Sequence, residues 1–193
     1  MAARRRRRPG AVLLFHGAGS DRDHSSLVAL EEHLAPLPVE RANFPYRTKP
    51  GRRPPDREPV LLESVREQAA ALSSASGVPP RKIVLGGRSM GGRMCSLAVA
   101  DGLPAAGLVL IAYPLHPPGR PDRLRTEHLP RLSLPVLLIQ GTRDPFGSPD
   151  EFAQHLESIP GPVTQVWVEG GRHDLARADD QIVEAVGAWL ATV

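Results

Sequence analysis

Residues 83–98 read Ile83-Val84-Leu85-Gly86-Gly87-Arg88-Ser89-Met90-Gly91-Gly92-Arg93-Met94-Cys95-Ser96-Leu97-Ala98. An apolar run, a serine between glycines and a stretch of small and apolar residues spell a strand, a tight turn and a helix, with G-x-S-x-G at the turn. A serine lifted out on so sharp a turn sits in a strained backbone conformation. Glycines two residues before and after it remove side chains that would clash with the incoming helix. Ser89 is the leading candidate for a nucleophile.

Working outward, short apolar runs recur at residues 11–15, 38–42, 82–85, 107–112, 135–140 and 163–168, each a candidate buried strand. Helical spacing lies between them. Glu58-Pro59 opens a helix with Leu62, Val65, Ala69 and Leu72 on one face, and Ser148-Pro149-Asp150-Glu151 opens another with a capping box. Ile182, Val183, Val186, Trp189 and Leu190 mark one docked face of a last helix over residues 180–193. Strands covered on both sides read as near-continuous apolar runs, so the pattern predicts an open, mostly parallel α/β sheet of six or slightly more strands with helices on both faces. In such a sheet the functional residues gather in loops at the carboxyl ends of the strands.

A chain of 193 residues supports one domain with a real core, here expected over residues 11–193 behind a basic, disordered leader at residues 1–10. An apolar fraction of 41% with 23% charged residues is that of a globular protein. The formal charge of +3 becomes −2 without Arg4 to Arg8, so the basicity belongs to the leader, and the scarcity of aromatics beside it argues against a nucleic-acid site. No run reaches the roughly 20 apolar residues of a membrane span, which predicts no membrane partner. Cys95 has no second cysteine to pair with and falls in the helix after the elbow, where a small buried residue is expected; a cytoplasmic location follows as the default.

A serine hydroxyl is a poor nucleophile unless a base takes its proton and an acid orients that base. The run ending at Gln140 leads into Gly141-Thr142-Arg143-Asp144, which puts Asp144 just past a strand and makes it the candidate acid. The last strand leads into Glu169-Gly170-Gly171-Arg172-His173, which makes His173 the candidate base. The order Ser89, Asp144, His173 is the one used by elbow-type triads. His16-Gly17-Ala18-Gly19-Ser20 follows the first strand and supplies amides for a developing oxyanion. Any of Gly17, Ala18 and Gly19 could turn inward; Ala18 with Met90, at the helix N-terminus, is the expected pair. His16 is expected to hold loops together through its ring.

Phosphate-loop chemistry is disfavoured because G-x-x-x-x-G-K-[ST] is absent. For a metal the nearest approach is His24 with Asp21 and Asp23, read instead as a helix-capping Asp pair near the site entrance, so no metal and no cofactor are expected.

Six strings together resemble a known family: His16-Gly17-Ala18-Gly19-Ser20 with Asp23-His24, Asn43-Phe44-Pro45-Tyr46, Gly87 to Arg93, Tyr113-Pro114-Leu115-His116-Pro117-Pro118-Gly119, Leu124-Arg125-Thr126-Glu127-His128-Leu129, and Gly141 to Gly147. They resemble the small α/β-hydrolases that include testis-expressed and chromatin-complex-subunit relatives, over nearly the whole chain. The resemblance implies an α/β-hydrolase fold, with Ser89, Asp144 and His173 on the triad positions. The leading antiparallel strands usual in that fold are missing or reduced, which exposes a sheet edge and leaves room for a homodimer. Only about twenty residues separate the strand ending near Ala112 from the next, so no large lid domain is expected and the site should be open. Gly17, Tyr113, His116 and Arg88 are candidates to touch substrate; Arg88 has an equally good alternative as the partner of a carboxylate. The expected activity is hydrolysis of a small ester, thioester or related acyl compound through an acyl-serine. The alternative is an interaction protein that keeps the fold, since fold does not establish function.

Overall fold

The computed structural model describes residues 8–51 and 53–193. Most of the expected leader, residues 1–7, lies outside them, while Gly10 already donates its N–H to the Lys82 carbonyl at 2.8 Å.

Six strands form one sheet: β1 (Ala11–Phe15), β2 (Val39–Ala42), β3 (Ile83–Arg88), β4 (Gly107–Ile111), β5 (Val136–Gly141) and β6 (Val163–Val168). Their order is β2-β1-β3-β4-β5-β6, and every neighbouring pair is parallel. The helices are α1 (Ser25–Leu34), the single turn α2 (Pro45–Thr48), α3 (Glu58–Ser76), α4 (Met90–Ala100), α5 (Pro149–Leu156) and α6 (Asp179–Leu190). Two strands outrun their apolar sequence. β3 continues through Gly86 and Gly87 to Arg88 because its ladder with β4 runs on to the pair Arg88 and Ile111, and β5 extends to Gly141 through its pairing with Val168. Hydropathy ends where the side chains change, but the backbone bonds do not.

Alternation along each strand sorts side chains to two cores. Leu13, Phe15, Leu85 and Leu138 face α3, α4 and α5 through Leu61, Val65, Met94 and Phe152. Val12, Leu14, Val84 and Ile139 face α1 and α6 through Leu27, Leu30, Ile182 and Val186. At roughly 1.5–3 kcal/mol for each fully buried aliphatic side chain, these two layers dominate the stability of the sheet.

β1 lies between β2 and β3, so the chain leaves β1 for one side and returns on the other. This reversal is the topological switch point, where a parallel sheet opens a crevice. Register pairs Phe15 with Gly87, which puts the loop beginning at His16 directly beside the turn beginning at Arg88. Edge strand β2 is blunted by Arg41, which bonds the Glu31 carboxylate at 2.6 Å and Asp23 at 2.8 Å.

Candidate active site

Ser89 has φ 48° and ψ −115°, a conformation that costs a non-glycine residue of order 1–3 kcal/mol and is typical of functional turns. Its N–H bonds the Ile111 carbonyl at 2.8 Å and its carbonyl accepts from Arg93 N–H at 3.0 Å, so ladder and helix hold the turn from both sides. The flanking glycines clear the approach to β1. A Cβ at Gly87 on β3 would lie 2.1 Å from the Phe15 carbonyl oxygen, and one at Gly91 on α4 would lie 2.4 Å from the same atom, a clash of helix with strand; Gly92 adds a second clearance, since a Cβ there would meet the Gly87 carbonyl at 2.8 Å.

From that turn Ser89 Oγ lies 2.8 Å from His173 Nε2, and His173 Nδ1 lies 2.8 Å from Asp144 Oδ2. The acceptor-only carboxylate fixes the tautomer: Nδ1–H donates to Asp144, leaving Nε2 to accept the Ser89 hydroxyl proton. The Asp144 side chain has no exposure while that of His173 keeps 24%, so the acid is sealed and the base still meets the cavity. Asp144 also accepts from Gln140 Nε2 at 2.6 Å and from the Phe146 amide at 2.9 Å. Three donors converge on one buried carboxylate and fix its orientation. These contacts make Ser89, His173 and Asp144 a hydrogen-bonded serine-hydrolase triad.

The two loops that carry acid and base are stitched together. Thr142 N–H bonds the Val168 carbonyl at 3.0 Å, and Arg143 N–H bonds the Gly171 carbonyl at 2.9 Å. Any side chain at residue 141 would collide with the second loop, since a Cβ there would lie 2.3 Å from the Gly171 carbonyl oxygen.

His16 does hold loops together. Its Nδ1–H donates to the Gly17 carbonyl at 2.7 Å, and its Nε2 accepts from the Phe44 amide at 3.2 Å. Both bonds need a neutral ring, and burial pulls its pKa below the ordinary value. The Gly17 carbonyl also accepts from Ser20 N–H at 3.2 Å. In a trans peptide the N–H points opposite to the carbonyl, so the Ala18 amide is turned away from these donors. Gly17 itself stands against the nucleophile, with a Cβ built on it falling 3.5 Å from Ser89 Cβ. Met90 opens α4, and its N–H has no acceptor within the helix.

Arg88 is among the residues lining the cavity, but its guanidinium is held by the protein. It is 5% exposed, and its Nη2 donates to the Asp174 carbonyl at 2.8 Å and the His173 carbonyl at 3.3 Å. Its Nη1 also donates to Ser26 Oγ at 3.5 Å, so its hydrogen-bond partners are two main-chain carbonyls and a hydroxyl and not the carboxylate foreseen as an alternative. Tyr113 and His116 also depart from expectation, standing behind the wall and not on it. The Tyr113 hydroxyl donates to the Arg125 carbonyl at 2.8 Å, and the His116 ring faces the Pro117 carbonyl at 2.8 Å and the Glu151 carboxylate at 3.1 Å. Pro114 and Arg125 line the cavity in their place. Short-range order explains both: β4 ends in a turn that points these two rings inward, where burial demands partners.

The cavity measures about 790 Å³ and includes Ser89, His173, Gly17, Ala18 and Met90 in its lining. No inserted lid domain covers it: the segment between β4 and β5 holds one short 3-10 turn, Leu129–Arg131. Phe146 stacks on the His173 ring with centroids 3.9 Å apart. Phe146 and Gln140 escaped the sequence reading. Gln140 had one signal, a lone polar residue closing an otherwise apolar strand. The cap of α1 is His24 and not the expected Asp pair: His24 Nδ1 accepts from Ser26 N–H at 3.3 Å, while Asp21 accepts from Asp23 N–H at 3.0 Å and so turns the loop before the helix. Among the described residues no group of three or more His, Cys, Asp or Glu could hold a metal ion.

Fold and triad together define a serine hydrolase of α/β architecture. Residues 8–187 match the family model described as an alpha/beta hydrolase domain, and the chain belongs to that family. Solved structures agree in fold. Est1E from Butyrivibrio proteoclasticus superposes with a TM-score of 0.73 at 13% identity, covering 96% of this chain and 88% of that one. A dienelactone hydrolase from Anabaena variabilis gives 0.73 at 20% identity over 95% and 87%. A thermophilic esterase from Thermogutta terrifontis gives 0.72 at 21% identity over 96% and 92%.

Proposed function

We propose that this protein hydrolyses a small ester, thioester or related acyl compound through an acyl-serine intermediate. The observation that carries the proposal is the unbroken chain from Ser89 through His173 to Asp144, opening onto a cavity. Ser89 Oγ attacks the acyl carbon as its proton passes to His173 Nε2, and Asp144 stabilises the imidazolium that forms. The amides of Ala18 and Met90 receive the negative oxygen, a contribution on the order of 3 kcal/mol per donor. His173 then protonates the leaving group. Water then attacks the acyl carbon as it gives a proton to the same nitrogen, and the acyl–Oγ bond breaks as His173 returns that proton to Ser89, releasing the acid.

Hydrolysis of 4-nitrophenyl butanoate by the wild type and by Ser89→Ala tests this. The variant should lose activity by a factor on the order of 10³ or more; unchanged turnover would refute it.

The nearer kinship, with the small hydrolases that have testis-expressed and chromatin-complex-subunit members, is supported by the strings at residues 113–119 and 124–129, which meet at the bond between Tyr113 and the Arg125 carbonyl. A cytoplasmic setting fits a chain whose one cysteine, Cys95, is buried and unpaired. Among the described residues no helix is long and apolar enough to cross a membrane.

A further inference from the structure

We infer that one wall of the cavity is a subsite for an anionic group, formed by Arg93 and Arg125, and that the substrate is an ester bearing a carboxylate. The inference rests on the serine-hydrolase function proposed above and names its substrate class.

Arg93 follows Ser89 by four residues, one turn along α4, so it lies on the face that the nucleophile opens. Arg125 comes from the other side of the wall, its backbone pinned by the Tyr113 hydroxyl at 2.8 Å and by its own N–H to the Leu115 carbonyl at 2.9 Å. Both side chains line the cavity that holds Ser89. Burial, and then the charge of Arg93, pulls the Arg125 pKa below its ordinary value, so the two cations feel each other.

Neither guanidinium is fully satisfied by the protein. Arg93 Nη2 bonds Glu58 at 2.9 Å, but its Nε is buried with no partner. Arg125 reaches only the Pro114 carbonyl, at 3.5 Å, and forms no ion pair among the described residues. Glu58 lines the cavity beside its partner Arg93, so the cation left without a carboxylate is Arg125, and an anion reaching it would relieve the repulsion it feels from Arg93. A carboxylate has enough lone pairs to accept from both at once. Arg88 also lines the cavity, but its guanidinium is held by the His173 and Asp174 carbonyls and by Ser26 Oγ. Leu61, Met94 and Pro114 line the same wall, offering an apolar spacer between the reacting carbon and the cations. The wall also carries Asp56, whose Oδ2 is buried without a partner and opposes an anion. Replacing it should therefore sharpen the preference.

The test compares kcat/KM for 4-nitrophenyl hydrogen glutarate and 4-nitrophenyl pentanoate, acyl groups of equal length that differ in a terminal carboxylate or methyl. The wild type should prefer the glutarate by about tenfold or more, as expected for charge-assisted hydrogen bonds. Arg125→Gln and Arg93→Gln should each bring the ratio close to one, and Asp56→Asn should raise it. The preference should also shrink with added salt. The pair 3-acetoxybenzoate and its methyl ester asks the same question of the leaving group, and a preference there assigns the carboxylate to that side. Arg125→Gln has no ion pair to lose, and it decides the matter should Arg93→Gln fail to fold. Wild-type ratios near one in both pairs, or a ratio unchanged in Arg125→Gln, would overturn the subsite. Labelling of Ser89 by a fluorophosphonate separates the two proposals: a labelled enzyme with no preference loses only the subsite, and an unlabelled, inactive one loses the hydrolase.

Discussion

The His16 ring and the Gly17 carbonyl are joined by a 2.7 Å hydrogen bond, and through it a side chain on β1's exit loop sets the direction of the next peptide. That peptide ends in the Ala18 amide. The ring is itself fixed from behind by the Phe44 amide, and it meets the Phe44 and Tyr46 rings edge-on at 5.2 Å and 5.8 Å. His16→Ala frees the peptide to rotate and should lower kcat by about 10- to 100-fold with little change in KM, because an oxyanion donor acts on the transition state. Steady-state kinetics on one ester give the split; an equal change in KM alone would contradict the assignment.

Arg88 positions the base. Its guanidinium holds the His173 and Asp174 carbonyls from a place one residue before the nucleophile, so it ties the strand that carries the nucleophile to the loop that carries the base. Arg88→Met should lower kcat on the order of 10²-fold, the cost of misplacing a catalytic group by about 1 Å. Arg88→Lys should recover part of the loss. Retained kcat with a raised KM would mean that Arg88 binds substrate instead.

Gln140 keeps the acid in place. Its amide nitrogen must face Asp144 Oδ2, since an oxygen there would repel the carboxylate. Gln140→Leu should slow turnover by roughly tenfold, within the range for loss of a hydrogen bond to a charged group. Gln140→Glu should be worse, its activity relative to that of Gln140→Leu rising as pH falls and the added carboxyl is neutralised. A pH–rate profile of the two variants distinguishes them.

A second serine–histidine pair lies buried away from the cavity. The Ser96 hydroxyl donates to the Arg93 carbonyl at 2.8 Å, so His128 Nε2–H must donate to Ser96 Oγ, 2.7 Å away. Burial, then the charges of Arg93 and Arg131, push His128 down to about 4. The unfolded chain protonates this histidine below about pH 6.5 while the fold keeps it neutral, so stability falls as pH drops toward 4. The loss should be roughly 2 kcal/mol between pH 6.5 and 4.5, measured by urea unfolding. His16, also held neutral by burial, adds to it in the same direction. His128→Asn should show a flatter dependence on pH than the wild type.

The triad was legible because each member follows a strand, and strand ends are marked by a change from apolar runs to glycine and polar residues. Ser89, Asp144 and His173 needed only chain order and the rule that parallel strands deliver their loops to one end. What the sequence hides is direction. Tyr113 and His116 follow a strand as Asp144 does, but a turn at the end of β4 sends them into the protein, and nothing local distinguishes the two cases. Arg88 finds acceptors more than eighty residues away, and Gln140 acts through a side chain whose orientation only the packed loop determines. The glycines of the elbow were legible as a need for space, yet the atom needing it, the Phe15 carbonyl, belongs to a strand some seventy residues earlier.

An activated serine at position 89 is the claim on which the rest depends. Intact-protein mass spectrometry after treatment with a fluorophosphonate should show one adduct on the wild type and none on a folded Ser89→Ala variant. A folded wild type that takes up no adduct, or an adduct that survives the substitution, would contradict the account and favour an interaction protein built on this fold.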